Sequence, residues 1–188
     1  MKKVFMIHGF NSSPNSSWMP WLLGELKSRD IYACSLYMPE PDTPIVTRWV
    51  HEISRVINDC TKNSEIYLIG HSLGVAAILN YLQSSEYITG SVQGGVLVSG
   101  RAQPSDNNLT RNFYENFDFE ILKDRIKNFC IIHGTNDSYV PVENAYILGD
   151  ELNIKPIIID GGTHFTRGEG YAEFPTVLDE LLRVMNEK

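Results

Sequence analysis

Apolar residues along the chain fall into two alternating kinds of run. Short, mostly apolar blocks occupy residues 4–7, 31–36, 66–69, 94–99, 129–132 and 155–159, and between them apolar residues recur every three or four positions. Blocks of the first kind fit strands covered on both faces, and the second pattern fits helices laid against them. Ile45, Trp49, Ile53, Val56 and Cys60 mark one such helix, its stripe widened by Val50 and Ile57, and Phe174, Val177, Leu178, Leu181, Leu182 and Met185 mark the last one. A further helix is predicted over about 18–29, and Thr43-Pro44 predicts an N-cap followed by proline at the first helical position. Strands alternating with helices predict a doubly wound α/β domain, a six-stranded parallel sheet joined by right-handed crossovers. With strand order 2-1-3-4-5-6, the winding reverses between strands one and three, and open α/β sheets bind ligands at that switch point.

Size and charge narrow the picture. The 188 residues, 43% of them hydrophobic, suit one domain spanning 1–188. A formal charge of -7 argues against nucleic acid or an anionic membrane as partner and suits a small-molecule substrate. Cys34, Cys60 and Cys130 are odd in number, widely spaced and set in apolar runs. They read as buried small hydrophobes in a reducing cytoplasm, with neither a disulfide framework nor a zinc site. The apolar run at 4–7 is far shorter than a signal-peptide core, and no stretch reaches membrane-spanning length.

The chemistry centres on the third strand. Ile66-Tyr67-Leu68-Ile69 runs into Gly70-His71-Ser72-Leu73-Gly74, which continues as the helical Val75-Ala76-Ala77-Ile78-Leu79. Strand, Gly-x-Ser-x-Gly turn and helix together are the context of a nucleophile elbow, with Ser72 held on a strained turn and glycines where side chains would collide. A serine hydroxyl needs a base within hydrogen-bond reach, and the base needs a carboxylate to set its tautomer. On α/β folds with such an elbow, acid and then histidine follow the serine. His164, in the loop after the sixth strand, is the histidine downstream of both the elbow and a suitable acid. Asp137, in the turn-rich loop after the fifth strand, is the preferred acid, with Asp160 as its rival. Backbone amides are expected to hold the oxyanion: Leu73 at the helix start, and Phe10 in the loop after the first strand, with Asn11 as second choice and a further candidate for the pocket wall.

The irregular stretch 101–117 is long enough for a lid, with Phe113, Tyr114 and Phe117 either lining an acyl pocket or anchoring the stretch to the core.

In this order, Ile7-His8-Gly9, Trp18-x-x-Trp21-Leu22, Met38-Pro39-x-Pro41, the elbow, Leu97-Val98-Ser99-Gly100, Asp137-x-x-Val140-Pro141, His164-Phe165 and Glu169-Gly170 resemble the small α/β-hydrolase family of YdeN-like proteins and retinoblastoma-binding protein 9. The resemblance covers almost the whole chain. It implies an α/β-hydrolase fold without a large cap domain and a Ser-Asp-His triad at Ser72, Asp137 and His164. Thr163 departs from the family's Gly-Gly-His-Phe pattern. The expectation is a cofactor-free, metal-free serine hydrolase, a carboxylesterase acting on small acyl esters. The alternative is a hydrolase-like protein-interaction module with little turnover; protein partners, acyl length and the ester, thioester or amide preference stay open.

Overall fold

The computed structural model describes residues 1–61, 63–126 and 128–186. Its centre is a parallel six-stranded sheet in the order β2-β1-β3-β4-β5-β6. The strands are β1 (Lys2–Ile7), β2 (Tyr32–Ser35), β3 (Glu65–His71), β4 (Val92–Val98), β5 (Phe129–Gly134) and β6 (Ile157–Ile159). Between and after them lie α1 (Met19–Lys27), α2 (Val46–Asn58), α3 (Leu73–Gln83), α4 (Phe119–Arg125), α5 (Glu143–Leu152) and α6 (Pro175–Asn186). This is the α/β-hydrolase arrangement, in the strand order 2-1-3-4-5-6 on which the switch-point expectation depends.

Period-two side-chain alternation splits the core into two layers. Val4, Met6, Tyr67, Ile69, Val96 and Val98 face α1 and α6, where they meet Trp18, Leu22, Leu26, Val177 and Leu181. Phe5, Ile7, Ile66, Leu68 and Leu97 face α2 to α5, where they meet Trp49, Ile53, Ile78 and Leu148. The inner strands are apolar at successive positions because both faces are covered. Edge strands β2 and β6 are shorter than their apolar blocks and only partly buried. Among the described residues no helix is long and apolar enough to cross a membrane.

One helix boundary differs from expectation. Ile45, in extended backbone, is the N-cap of α2, and it makes no side-chain cap. The Thr43 amide closes a turn on the Glu40 carbonyl, and its hydroxyl turns to Asp42, so neither is available to α2. Pro44 therefore belongs to the loop, since a residue before proline is driven from helical angles and one after it is free to start the helix. The cysteines also divide: Cys130 is buried, whereas Cys34 and Cys60 are half-buried.

Candidate active site

The C-terminal ends of β1 and β3 meet at the switch point, where Ile7 pairs with Gly70 while Met6 pairs on the other side with Ser35. Here β3 turns into α3 through Ser72, whose φ of 55° and ψ of -119° place a non-glycine residue in strained backbone. The turn is held by the Ser72 amide donating to the Val98 carbonyl at 2.9 Å. Gly70 and Gly74 serve sterically, while the positive φ falls on the serine itself. A Cβ on Gly74 would lie 2.1 Å from the Ile7 carbonyl oxygen, and one on Gly70 would lie 2.8 Å from the Val75 nitrogen. Gly74→Ala is thus expected to cost about 3 kcal/mol by overpacking, read as a fall in urea midpoint; an unchanged midpoint would refute this account of the turn.

Asp137 is buried in the loop after β5. Its Oδ1 accepts the amides of Tyr139 and Val140, both at 2.9 Å, and its Oδ2 lies 2.7 Å from Nδ1 of His164. Burial is the largest influence on its carboxyl and pushes its pKa up. The hydrogen bond and charge of His164 together with the two amides outweigh burial, so the pKa lies below its ordinary value. Asp160 is exposed and accepts from the Thr135 hydroxyl at 3.4 Å. It is a turn residue in a different contact.

His164, itself buried, is held from several sides. Nε2 of His71, the residue before Ser72, donates to the His164 carbonyl at 2.8 Å, and the two rings lie 5.0 Å apart. The Tyr139 ring covers another side at 5.0 Å. Behind the loop, Glu169 accepts the amide and hydroxyl of Thr166 at 2.9 and 2.7 Å, closing a capping box. His71 has no sequence signal beyond its place as a variable elbow position, and only the fold brings it to a carbonyl 93 positions away.

Three further histidines near the strand ends stay neutral at physiological pH. Burial, reinforced by the neighbouring His164, takes His71 down to about 3. Burial also lowers His8 and His133. Nδ1 of His8 donates to the Gly9 carbonyl while its Nε2 accepts the Met38 amide; Nε2 of His133 donates to the Val140 carbonyl. Each has one donating and one non-donating ring nitrogen, as neutral imidazole requires.

A cavity of about 710 Å³ opens over Ser72 and His164. Phe10 and Asn11 line it, as do Ser12, Asn15, Tyr139 and Arg167. The Asn11 amide donates to the Pro41 carbonyl at 2.6 Å, which commits it elsewhere. Leu73 is the first residue of α3, where a backbone N–H has no partner within the helix. Sequence reasoning missed the walls formed by residues 12–17 and 166–168, because irregular loops carry no periodic signal.

Phe113, Tyr114 and Phe117 do not line this cavity. Phe113 is buried with its ring 5.4 Å from Trp49, Tyr114 is buried beside it, and Phe117 packs edge-on against Tyr114 and Phe119. They cover apolar surface left open by α2 and α3, so the anchoring alternative replaces the acyl-pocket one. Asn80 and Gln83 on α3 fasten the stretch by donating to the carbonyls of Phe113 and Asn116, both at 2.8 Å. The stretch meets the site at its beginning, where Arg101 donates to the Tyr139 carbonyl at 3.1 Å.

Fold and sequence together define the class: the chain belongs to the serine hydrolase family, whose model matches residues 4–183. It is 30% identical to YdeN of Bacillus subtilis (strain 168) over 182 residues, 96% of this chain and 94% of YdeN. The crystal structure of the B. subtilis ydeN gene product matches over 100% of both chains with a TM-score of 0.91 and 28% identity. Est1E from Butyrivibrio proteoclasticus matches in fold with a TM-score of 0.76 at 17% identity, over 99% of this chain and 89% of that one. A bromoperoxidase from Bacillus anthracis matches equally, at 0.76 and 15% identity, over 99% and 92%.

Proposed function

We propose that this hydrolase is a cytoplasmic carboxylesterase that cleaves small acyl esters through an acyl-enzyme, with Ser72, His164 and Asp137 as its triad. The observation that carries the reading is the buried Asp137 carboxylate 2.7 Å from Nδ1 of His164, in a site whose cavity also contains the strained Ser72. Asp137 holds the proton on Nδ1 and leaves Nε2 unprotonated to act as base. As Ser72 Oγ attacks the ester carbonyl, its proton passes to Nε2, and the oxygen that becomes negative is held by the amides of Phe10 and Leu73. Collapse of the tetrahedral intermediate breaks the carbon–alkoxy bond, and His164 gives its proton to the departing alcohol. A water molecule then attacks the acyl-enzyme, losing its proton to His164, and Ser72 recovers that proton as the carboxylic acid leaves. These steps balance with one water consumed and call for no metal or organic cofactor.

A fluorophosphonate probe tests the nucleophile directly. Folded wild-type protein is expected to take up one label, located on Ser72 by peptide mass analysis, and Ser72→Ala is expected to take up none. Folded protein that resists the probe would remove the enzyme reading and favour an interaction module.

A further inference from the structure

Hydroxyl and amide side chains recur among the residues lining the cavity over Ser72, at Asn11, Ser12, Asn15, Ser16, Ser17 and Thr166. Histidines aside, Arg167 is the one charged residue among those lining it. Its guanidinium is fixed by Nη2 donating to the Ser17 carbonyl at 3.2 Å, and among the described residues it has no carboxylate partner. The nearest acid in the chain, Glu169, spends its Oε2 on Thr166. In a chain with a formal charge of -7, a lone cation at the exposed rim of a hydrolase cavity, held at one edge by a main-chain carbonyl, leaves its remaining N–H groups for a ligand.

Resting on the carboxylesterase reading, we propose that Arg167 selects acyl esters that carry a carboxylate at the far end of the acyl chain, so that the substrates are monoesters of small dicarboxylic acids. A planar guanidinium matches the two oxygens of a carboxylate. One Arg also balances one carboxylate charge, whereas a phosphate dianion would leave a surplus negative charge in an acidic protein. Arg167 sits in the loop that carries His164, three residues beyond the base, so an anion bound there is in the same cavity as the scissile carbonyl.

The test compares kcat/KM for p-nitrophenyl hydrogen adipate with that for p-nitrophenyl hexanoate, six-carbon acyl groups that differ in the terminal carboxylate. Wild type is expected to prefer the adipate. Arg167→Gln should lower the adipate-to-hexanoate ratio by about tenfold, the lower end for a charge-assisted hydrogen bond because the side chain is exposed. Arg167→Lys should restore part of it, and 0.5 M NaCl should lower the wild-type ratio at least about twofold. A wild-type preference for hexanoate, or the same ratio in Arg167→Gln, would overturn the proposal while leaving the esterase reading intact. If neither ester is hydrolysed the esterase reading fails, and ligand-observed NMR of adipate then decides the anion site. Saturation transfer seen in wild type and lost in Arg167→Gln supports it, and equal or no transfer in the two proteins removes it.

Discussion

Asp137→Asn is expected to lower kcat by about 10³- to 10⁴-fold with little change in KM, as loss of a tautomer-fixing acid does in other triads. The geometry says why an isosteric amide should be so damaging. Two main-chain amides, from Tyr139 and Val140, donate to Oδ1 of Asp137. An asparagine must keep its carbonyl oxygen there and present its NH₂ to Nδ1 of His164. That ring nitrogen then becomes an acceptor, the proton moves to Nε2, and the base is blocked at the atom that must take the Ser72 proton. Steady-state kinetics on a p-nitrophenyl ester, with circular dichroism to confirm folding, measures the loss. Asp160→Asn, made in parallel, should change kcat less than about twofold, since Asp160 contacts Thr135. Activity lost on changing Asp160 and kept on changing Asp137 would reverse the assignment.

The second large effect is acid lability. His71 titrates at about 3 in the folded protein against an ordinary value of 6.5, so between these values the unfolded chain binds a proton that the folded chain refuses. The stability this group contributes is complete above pH 6.5, falls steadily as pH drops from 6.5 towards 3, and levels off below that. At pH 4.5, two units into the window, the loss is about 3 kcal/mol from His71 alone, a large part of the roughly 5–15 kcal/mol that holds a typical domain together. His8 and His133 are lowered as well and act in the same direction below pH 6.5. Asp137, whose folded value is also lowered, adds its loss only below about pH 3.8, as its carboxylate takes up a proton. Thermal melts from pH 7 to pH 4.5 should therefore fall by about 8 °C or more, and His71→Gln should flatten the slope. A melting temperature level across this range would contradict the burial of these neutral rings.

The apolar blocks at 4–7, 66–69 and 129–132 were legible because both faces of an inner strand are covered, which leaves no polar alternation to confuse with another element. The blocks at 31–36 and 155–159 overstated their strands, since edge strands are half-covered and their ends serve the loops. Ser72, Asp137 and His164 were legible as candidates from chain order and loop position, without any knowledge of contacts. The aromatic trio at 113–117 was not: three rings in an irregular stretch say that it packs on something, and only the position of Trp49 says on what. Nor could the Asn11 amide be excluded before its bond to the Pro41 carbonyl was seen. Arg167 is the clearest omission, an ordinary surface arginine in sequence that acquires a setting when the loops at 12–17 and 166–168 come together.

The bond from His71 to the carbonyl of His164 bears on how such a protein diversifies. It fastens the His164 loop to the elbow that carries Ser72, and the Thr166–Glu169 box closes the same loop just beyond. The positions of Ser72 and His164 are thereby set by contacts that do not involve the side chains of Ser12, Asn15 or Arg167, which line the cavity around them. On the proposed reading, loop exchange at 12–17, or replacement of Arg167 alone, would redirect the enzyme to new acids without rebuilding its chemistry, whereas a change at His71 would disturb the registration of His164 and Ser72 whatever the substrate.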